Sequence, residues 1–121
     1  MNSVCFAQIK KGNIFEPVKR TPEEFMEVLF SGAASDSVRI ERIVSEGHVS
    51  PDNFWYEQDE WEWVAVLQGN AELEFKTEKI SLASGDWVLI PAHERHRVSF
   101  TSSEPPCVWL AVFGKENKKT E

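Results

Sequence analysis

The 121-residue sequence has only two cysteines, Cys5 and Cys107, and no CxxC pair. Two cysteines so far apart, with no secretory signal ahead of them, indicate a reducing cytoplasm, and a disulfide between them would require that their strands pair. No apolar run is long enough to cross a bilayer. We therefore expect a cytoplasmic protein that has no membrane partner.

Positive charge is also scarce. Lysine and arginine number 13 against 20 acidic residues, which gives a formal charge of -7 and a pI near 5.0. Nucleic-acid binding depends on clustered basic side chains that release counterions, and a helix-turn-helix segment is absent as well. The sequence therefore predicts no nucleic-acid partner.

What the chain does have is strand-like alternation. Residues 38–45 alternate Val38 and Ile40 with Arg39 and Glu41, as in a sheet that has one face in water. Residues 71–75 alternate in the same way, and the runs WVLIPA, HRVSFTS and CVWLAVF are dense enough for strands buried on both faces. Short strands between turn residues predict an antiparallel sandwich or barrel of one domain, residues 1–121.

One segment predicts a helix instead. In TPEEFMEVLFSG, Thr21 is a suitable cap, Glu24 stands three residues later as in a capping box, and Gly32 ends the run. One helical face would be apolar, with Phe25, Val28 and Leu29 at i, i+3 and i+4. We expect a short N-terminal helix that covers one end or edge of the sheet.

The stretch FWYEQDEWEW, residues 54–63, combines three tryptophans with four carboxylates. In an extended chain alternate residues share a face, and Val64 and Val66 indicate which face is buried. The inward residues would be Tyr56, Gln58, Glu60 and Glu62; the outward ones would be Trp55, Glu57, Asp59, Trp61 and Trp63. A bulge between residues 57 and 61 would break this parity.

Two spacings resemble the motifs of the cupin family. GDWVLIPAHERH matches the second motif, Gly-x5-Pro-x-Gly-x2-His-x3-Asn, with Gly85, Pro91 and His96 in place and His93 where the motif has its second glycine. In the first motif, Gly-x5-His-x-His-x3,4-Glu-x6-Gly, the last two positions are matched by Glu62 and Gly69. The two motif histidines are absent. A three-residue gap puts Gln58 and Tyr56 on their positions, and a four-residue gap puts Glu57 and Trp55 there.

The resemblance implies an all-β fold, a double-stranded β-helix or jelly-roll barrel over about residues 38–113. An N-terminal strand and the helix would occupy residues 1–33, and residues 114–121 would form a frayed tail. It also implies a homodimer, since small cupins commonly associate through sheet edges or faces. The outward Trp61 and Trp63, with Trp109, would pack on the second sheet, the helix or another subunit.

Cupins hold a divalent metal inside the barrel with the motif histidines and glutamate. Carried over residue by residue, the resemblance gives Gln58, Glu62 and His96 as metal ligands, with His93 in reserve. This mixed nitrogen and oxygen set suits Fe, Mn, Zn or Ni. The implied function is metal-dependent chemistry on a small molecule, such as an oxygenase, isomerase or decarboxylase reaction.

The residues leave two metal-free alternatives open. Glu62 and His96 could act as an acid–base pair with Tyr56 as an assisting donor, since a desolvated carboxylate beside an imidazole has its pKa moved toward neutrality. The barrel could instead bind a small ligand, or serve as a sensor, without catalysis. In either case Trp55 or Trp87 would line the mouth of the barrel. Whether the protein is an enzyme is not decided by the sequence.

Overall fold

The computed structural model describes residues 9–19, 21–32 and 38–115. This part of the chain forms eight β-strands in two antiparallel sheets. The strands are β1 (Phe25–Ser31), β2 (Arg39–Ser45), β3 (Trp61–Gln68), β4 (Asn70–Phe75), β5 (Lys79–Ala83), β6 (Trp87–Ile90), β7 (His96–Thr101) and β8 (Cys107–Gly114). The predicted all-β jelly-roll fold is confirmed.

The larger sheet has the strand order β1-β2-β8-β3-β6, and the smaller sheet has the order β5-β4-β7. Chain-adjacent strands β3 and β4 belong to different sheets, so the chain crosses between the layers at Gly69. A buried apolar cluster fills the space between the sheets, as expected for two layers that each bury one face. Its members are Val64, Val66, Ala71, Leu73, Leu82, Ile90, Cys107, Trp109, Ala111 and Phe113. The described residues contain no helix long and apolar enough to span a membrane.

The predicted N-terminal helix is wrong, because Phe25–Ser31 is strand β1. It pairs antiparallel with β2, with Met26 opposite Ile43. The hydroxyl of Thr21 donates to the carbonyl of Glu23 and does not cap a helix. The apolar residues at helical spacing also suit an edge strand, and the ladder with β2 decides between the two structures. The other predicted N-terminal strand lies in residues 1–8, outside the described residues.

The two faces of β2 are the reverse of those predicted. Arg39, Glu41 and Ile43 line the space between the sheets, whereas Arg42 lies on the other face and bonds to Glu27. Glu41 is only 8% exposed. The period-two alternation is present as predicted, but its charged half points into the barrel.

Gly69 is required at the crossing between the sheets. Its φ is +80°, in the left-handed region that favours glycine. A Cβ at this position would meet the hydroxyl of Ser102 and the backbone of Cys107. The last glycine of the first motif is therefore explained by backbone geometry and steric space, independently of the site's chemistry.

Candidate functional site

A cavity of about 190 Å³ lies between the inner faces of the two sheets. Most of its wall is apolar, and its polar part is built by side chains from the residue before β1, from β2, from β3 and the segment before it, and from the start of β7. The polar and charged lining residues are Glu24, Arg39, Glu41, Tyr56, Gln58, Glu62 and His96. A cavity with apolar walls and a few convergent polar groups is the usual form of a small-molecule site.

Glu62 and His96 meet on this wall, as the motif spacing predicts. The distance from His96 Nε2 to Glu62 Oε1 is 3.5 Å, and the two side chains are 6% and 13% exposed, respectively. Gln58 Nε2 donates to the same oxygen of Glu62 at 3.4 Å. The predicted parity is confirmed for Tyr56, Gln58 and Glu62, which all line the cavity. Of the two alignments of the first motif, the one with the three-residue gap puts cavity-lining residues on the histidine positions.

The protonation of His96 is set by its two neighbours. Its Nδ1 lies 2.9 Å from the carbonyl oxygen of Glu94, which can only accept, so Nδ1 carries a hydrogen. Nε2 then faces the carboxylate of Glu62. Burial disfavours the charged imidazolium, but the hydrogen bonds to Glu62 and to the Glu94 carbonyl outweigh it, and the pKa of His96 is raised.

Tyr56 is placed against His96 by backbone and by ring. Its N–H donates to the carbonyl of His96 at 2.7 Å and the N–H of His96 donates back at 3.1 Å, while the rings stack with centroids 5.6 Å apart. Burial and the negative charges of Glu24 and Glu62 raise the pKa of the Tyr56 phenol. Tyr56 therefore stays a neutral donor beside the acid–base pair.

His93 is not brought to this group. Its side chain is 64% exposed and lies 3.8 Å from Asp59. Its φ is +69°, which explains why the motif has a glycine here, and its backbone N–H donates to the carbonyl of Gln58 at 2.8 Å. The residue thus ties the first motif segment to the second through its backbone.

The tryptophans expected at the mouth lie elsewhere. Trp87 is 60% exposed and stacks on Trp63 on the outer face of the larger sheet. Trp55 lies near Arg95, whose guanidinium carbon is 5.8 Å from the Trp55 ring centroid. Neither one lines the cavity. Trp109, in contrast, is in the core, where its Nε1 donates to Ser45 at 3.0 Å.

Three charged residues of the cavity wall are not predicted from the sequence. The sequence patterns place Glu24 in a helix cap, and Arg39 and Glu41 on a face in water, yet all three line the cavity. Arg39 donates from Nε to Glu41 Oε2 at 2.6 Å and with its two terminal nitrogens to Glu60 at 3.0 and 3.2 Å. The signal that could have found them is the alternation itself, with the charged face taken as the inner one, as it is when a barrel encloses a polar site.

The metal-binding fit is incomplete. Within residues 9–19, 21–32 and 38–115, no three His, Cys, Asp or Glu side chains are grouped so that they could hold a metal ion. Glu62 and His96 supply two ligands where structural and catalytic sites have three or four protein ligands. Gln58 turns its amide nitrogen, a donor, toward Glu62. The pair is instead satisfied within the chain.

Comparison with known proteins gives the family. The sequence-family model that describes the cupin domain matches residues 41–113 of this chain. With this match, the jelly-roll fold and the motif residues at the cavity, the chain belongs to the cupin family. No protein of curated function is similar enough to be matched.

Solved structures agree with this assignment. A protein from Ralstonia eutropha JMP134, named as a candidate mannose-6-phosphate isomerase, is 40% identical; the match covers 89% of this chain and all of that one, with a TM-score of 0.82. A cupin superfamily protein from Desulfitobacterium hafniense DCB-2 is 23% identical over 83% of this chain and 84% of its own, with a TM-score of 0.66. KdgF from Halomonas sp. is 18% identical over 83% and 87%, with a TM-score of 0.65. The last two are similar in fold alone.

Proposed function

We propose that the cavity binds a small organic molecule and that Glu62 and His96 transfer protons on it as a metal-free acid–base pair. The observation that carries this proposal is the 3.5 Å approach of His96 Nε2 to Glu62 Oε1 on the wall of a cavity. A raised imidazole pKa beside a buried carboxylate is the arrangement that general acid–base catalysis uses near neutral pH.

The reaction class that suits this pair is isomerisation next to a carbonyl group. The carboxylate of Glu62 removes a proton from the carbon beside the carbonyl, and protonated His96 donates one to the carbonyl oxygen. Return of a proton to the former carbonyl carbon and loss of the hydroxyl proton from the neighbouring position complete the isomerisation, with no oxidant or reductant. Tyr56, a neutral donor stacked on His96, holds a hydroxyl of the substrate.

The candidate activity of the Ralstonia protein, isomerisation of a sugar phosphate, is of the same reaction class. The charge of this cavity, however, does not suit a phosphate group. Among the described residues, Arg39 is the only arginine or lysine that lines the cavity, and Glu41 and Glu60 already bind its guanidinium. Glu24 and Glu62 add two further carboxylates. Like charges repel in a low-dielectric cavity, so we propose a substrate without phosphate.

Metal-assisted chemistry is the second candidate. One observation favours it: donation from His96 Nδ1 to the Glu94 carbonyl leaves Nε2 directed at Glu62, the orientation that metal-ligating histidines adopt. Gln58 would be the third ligand only if its amide oxygen faced the metal. We rank this candidate lower because Gln58 as oriented donates to Glu62.

The test is solvent isotope exchange, which works on a panel of compounds before the substrate has been identified. The protein is incubated in D2O with phosphate-free hydroxyaldehydes and hydroxyketones, with and without a primary amino group, and mass spectrometry detects deuterium bound to carbon. We expect exchange on at least one compound and a loss on the order of 100-fold in the Glu62→Gln and His96→Gln variants. Glu57→Gln, which changes an exposed carboxylate near Arg95, is the matched control.

The same assay separates the alternatives. Exchange that persists in EDTA supports the acid–base pair, whereas exchange that stops in EDTA and returns with added Mn²⁺ or Zn²⁺ supports the metal-assisted candidate. A rise in melting temperature with a panel compound that is not exchanged indicates a binding or sensor protein without catalysis. Equal exchange by the wild type and both site variants contradicts the proposal.

A further inference from the structure

Glu41 is a buried carboxylate on the cavity wall with one oxygen unused. The residue is 8% exposed. Its Oε2 accepts from Arg39 Nε at 2.6 Å, but its Oε1 has no hydrogen-bond partner among the residues that the structure describes. Buried carboxylate oxygens are normally satisfied, because desolvation without a compensating bond is costly. Oε1 itself has almost no accessible surface, but Glu41 lines the cavity, so a donor on a bound molecule would satisfy this oxygen once the carboxylate turns toward it.

The negative charge around the cavity is not balanced by the residues that the structure describes. Arg39 divides its guanidinium between Glu41 and Glu60, so one cation serves two carboxylates. Glu24 and Glu62 line the same cavity. Of these carboxylates, Glu62 has the imidazole of His96 as its partner and Glu24 accepts from the neutral hydroxyl of Ser45. The cavity therefore has an excess of negative charge, which a cation would offset better than a neutral molecule.

The apolar part of the wall has the size and character for a short hydrophobic body. In the ladder across the larger sheet, Glu41 lies opposite Ala111, which lies opposite Val64. Val64 lines the cavity with Glu41, so the carboxylate and an apolar side chain share this row of the wall. Trp109 and Phe113 line the same cavity and add to its apolar wall, and the guanidinium carbon of Arg39 already lies over the Phe113 ring, 4.3 Å from its centroid.

We propose that this cavity selects a small organic cation, a primary ammonium group on a short apolar or aromatic body, and that the ammonium donates to Glu41 Oε1. The inference rests on the small-molecule site of the proposed function and names the class of its ligand. Glu41 is a specificity residue, distinct from the Glu62 and His96 pair that transfers protons. A neutral hydroxyl would satisfy the oxygen without offsetting the charge.

Benzylamine and benzyl alcohol form a matched pair of probes that differ in charge and have nearly the same shape. Titration calorimetry is done at about pH 7, where aliphatic amines are charged. The protein should bind benzylamine at least about tenfold more tightly than benzyl alcohol, which is the effect expected of a charge-assisted hydrogen bond. The Glu41→Gln variant keeps the shape of the residue and should lose this preference. Glu57→Gln and Glu62→Gln should retain it.

The outcomes are distinguishable. Equal affinity of the wild type for the two probes overturns the inference, and this comparison needs no variant to fold. A preference that survives in a folded Glu41→Gln variant also overturns it, as does displacement of benzylamine by stoichiometric Mn²⁺, which would indicate a metal site. An amine preference without isotope exchange supports the inference while contradicting the proposed proton transfer.

Discussion

The Glu62→Gln substitution should destabilise the fold in mild acid and leave it nearly unchanged in mild base. The pKa of His96 is raised above its ordinary value of 6.5, because its hydrogen bonds to Glu62 and to the Glu94 carbonyl outweigh the effect of burial. A raised folded-state pKa means that the protonated imidazole stabilises the fold. This stabilisation is fully present below the unfolded pKa and is lost as the pH rises through the folded pKa.

The magnitude follows from the geometry of the pair. The side chains of His96 and Glu62 are 6% and 13% exposed, so water screens them little. A hydrogen bond to a charged group contributes about 1.5–3 kcal/mol to stability, and the 3.5 Å separation places this one at the weaker end. We expect Glu62→Gln to lower the free energy of unfolding by about 1.5 kcal/mol near pH 5.5 and by less than about 0.5 kcal/mol near pH 9.

Urea unfolding followed by tryptophan fluorescence measures this difference, since Trp109 is buried in the cavity wall. His93→Gln controls for loss of an exposed histidine, and Glu57→Gln controls for loss of an exposed carboxylate. Neither control should change the pH dependence of the wild type. If Glu62→Gln costs the same free energy at both pH values, the two groups do not share a proton and the reasoning fails.

Three other predictions concern separate parts of the fold. Gly69→Ala should lower the free energy of unfolding by about 1–3 kcal/mol, and by more than Gly85→Ala does. Both glycines have a positive φ, but only a methyl group at position 69 would meet Ser102. Coincident urea unfolding curves for the two variants would contradict this. The alkaline absorbance titration of Tyr56, the only tyrosine, should have its midpoint above 10, because burial and nearby carboxylates raise its pKa; a midpoint at or below 10 would refute it. Leu89 is 55% exposed and forms an apolar patch with Trp63 and Trp87 on the outer face of the larger sheet, and this patch predicts a homodimer. Light scattering should show that Leu89→Glu is a monomer, and a monomeric wild type would refute the prediction.

The strands are predictable because alternation reports burial directly. Residues 71–75 and the dense run of 107–113 form β4 and β8, since a side-chain period of two is fixed by the extended backbone. Strand β1 is not predictable from its own residues. Its composition fits a short helix and an edge strand equally well, and the ladder with β2, which chooses between them, involves residues far away in the sequence.

The site is predictable only where a spacing fixes it. Glu62 and His96 are located by their distances from Gly69 and Pro91, and they meet. Arg39 and Glu41 carry no such spacing, and the general rule that charged residues face water assigns them to the wrong side. That rule fails inside a barrel that encloses a polar site, where paired charges are part of the inner wall.

Two positions of the first motif lack histidine, and this supports the metal-free interpretation. Restoring the two histidines by mutation tests it. Gln58 donates to Glu62 and the Tyr56 ring stacks on His96, so the replacing side chains occupy the two groups that would otherwise face a metal. The double substitution Gln58→His, Tyr56→His would restore the three-histidine, one-glutamate set of the family on the same backbone.

We expect this double variant to bind Mn²⁺ or Zn²⁺ near one equivalent, measured by elemental analysis after reconstitution and desalting, and to lose it when His96→Ala is added. The wild type under the same treatment should retain at least about tenfold less. If the wild type instead retains one equivalent and the double variant retains no more, Glu62, His96 and Gln58 already form a sufficient metal site. In that case the metal-assisted candidate, and not the acid–base pair, would describe the chemistry of the cavity.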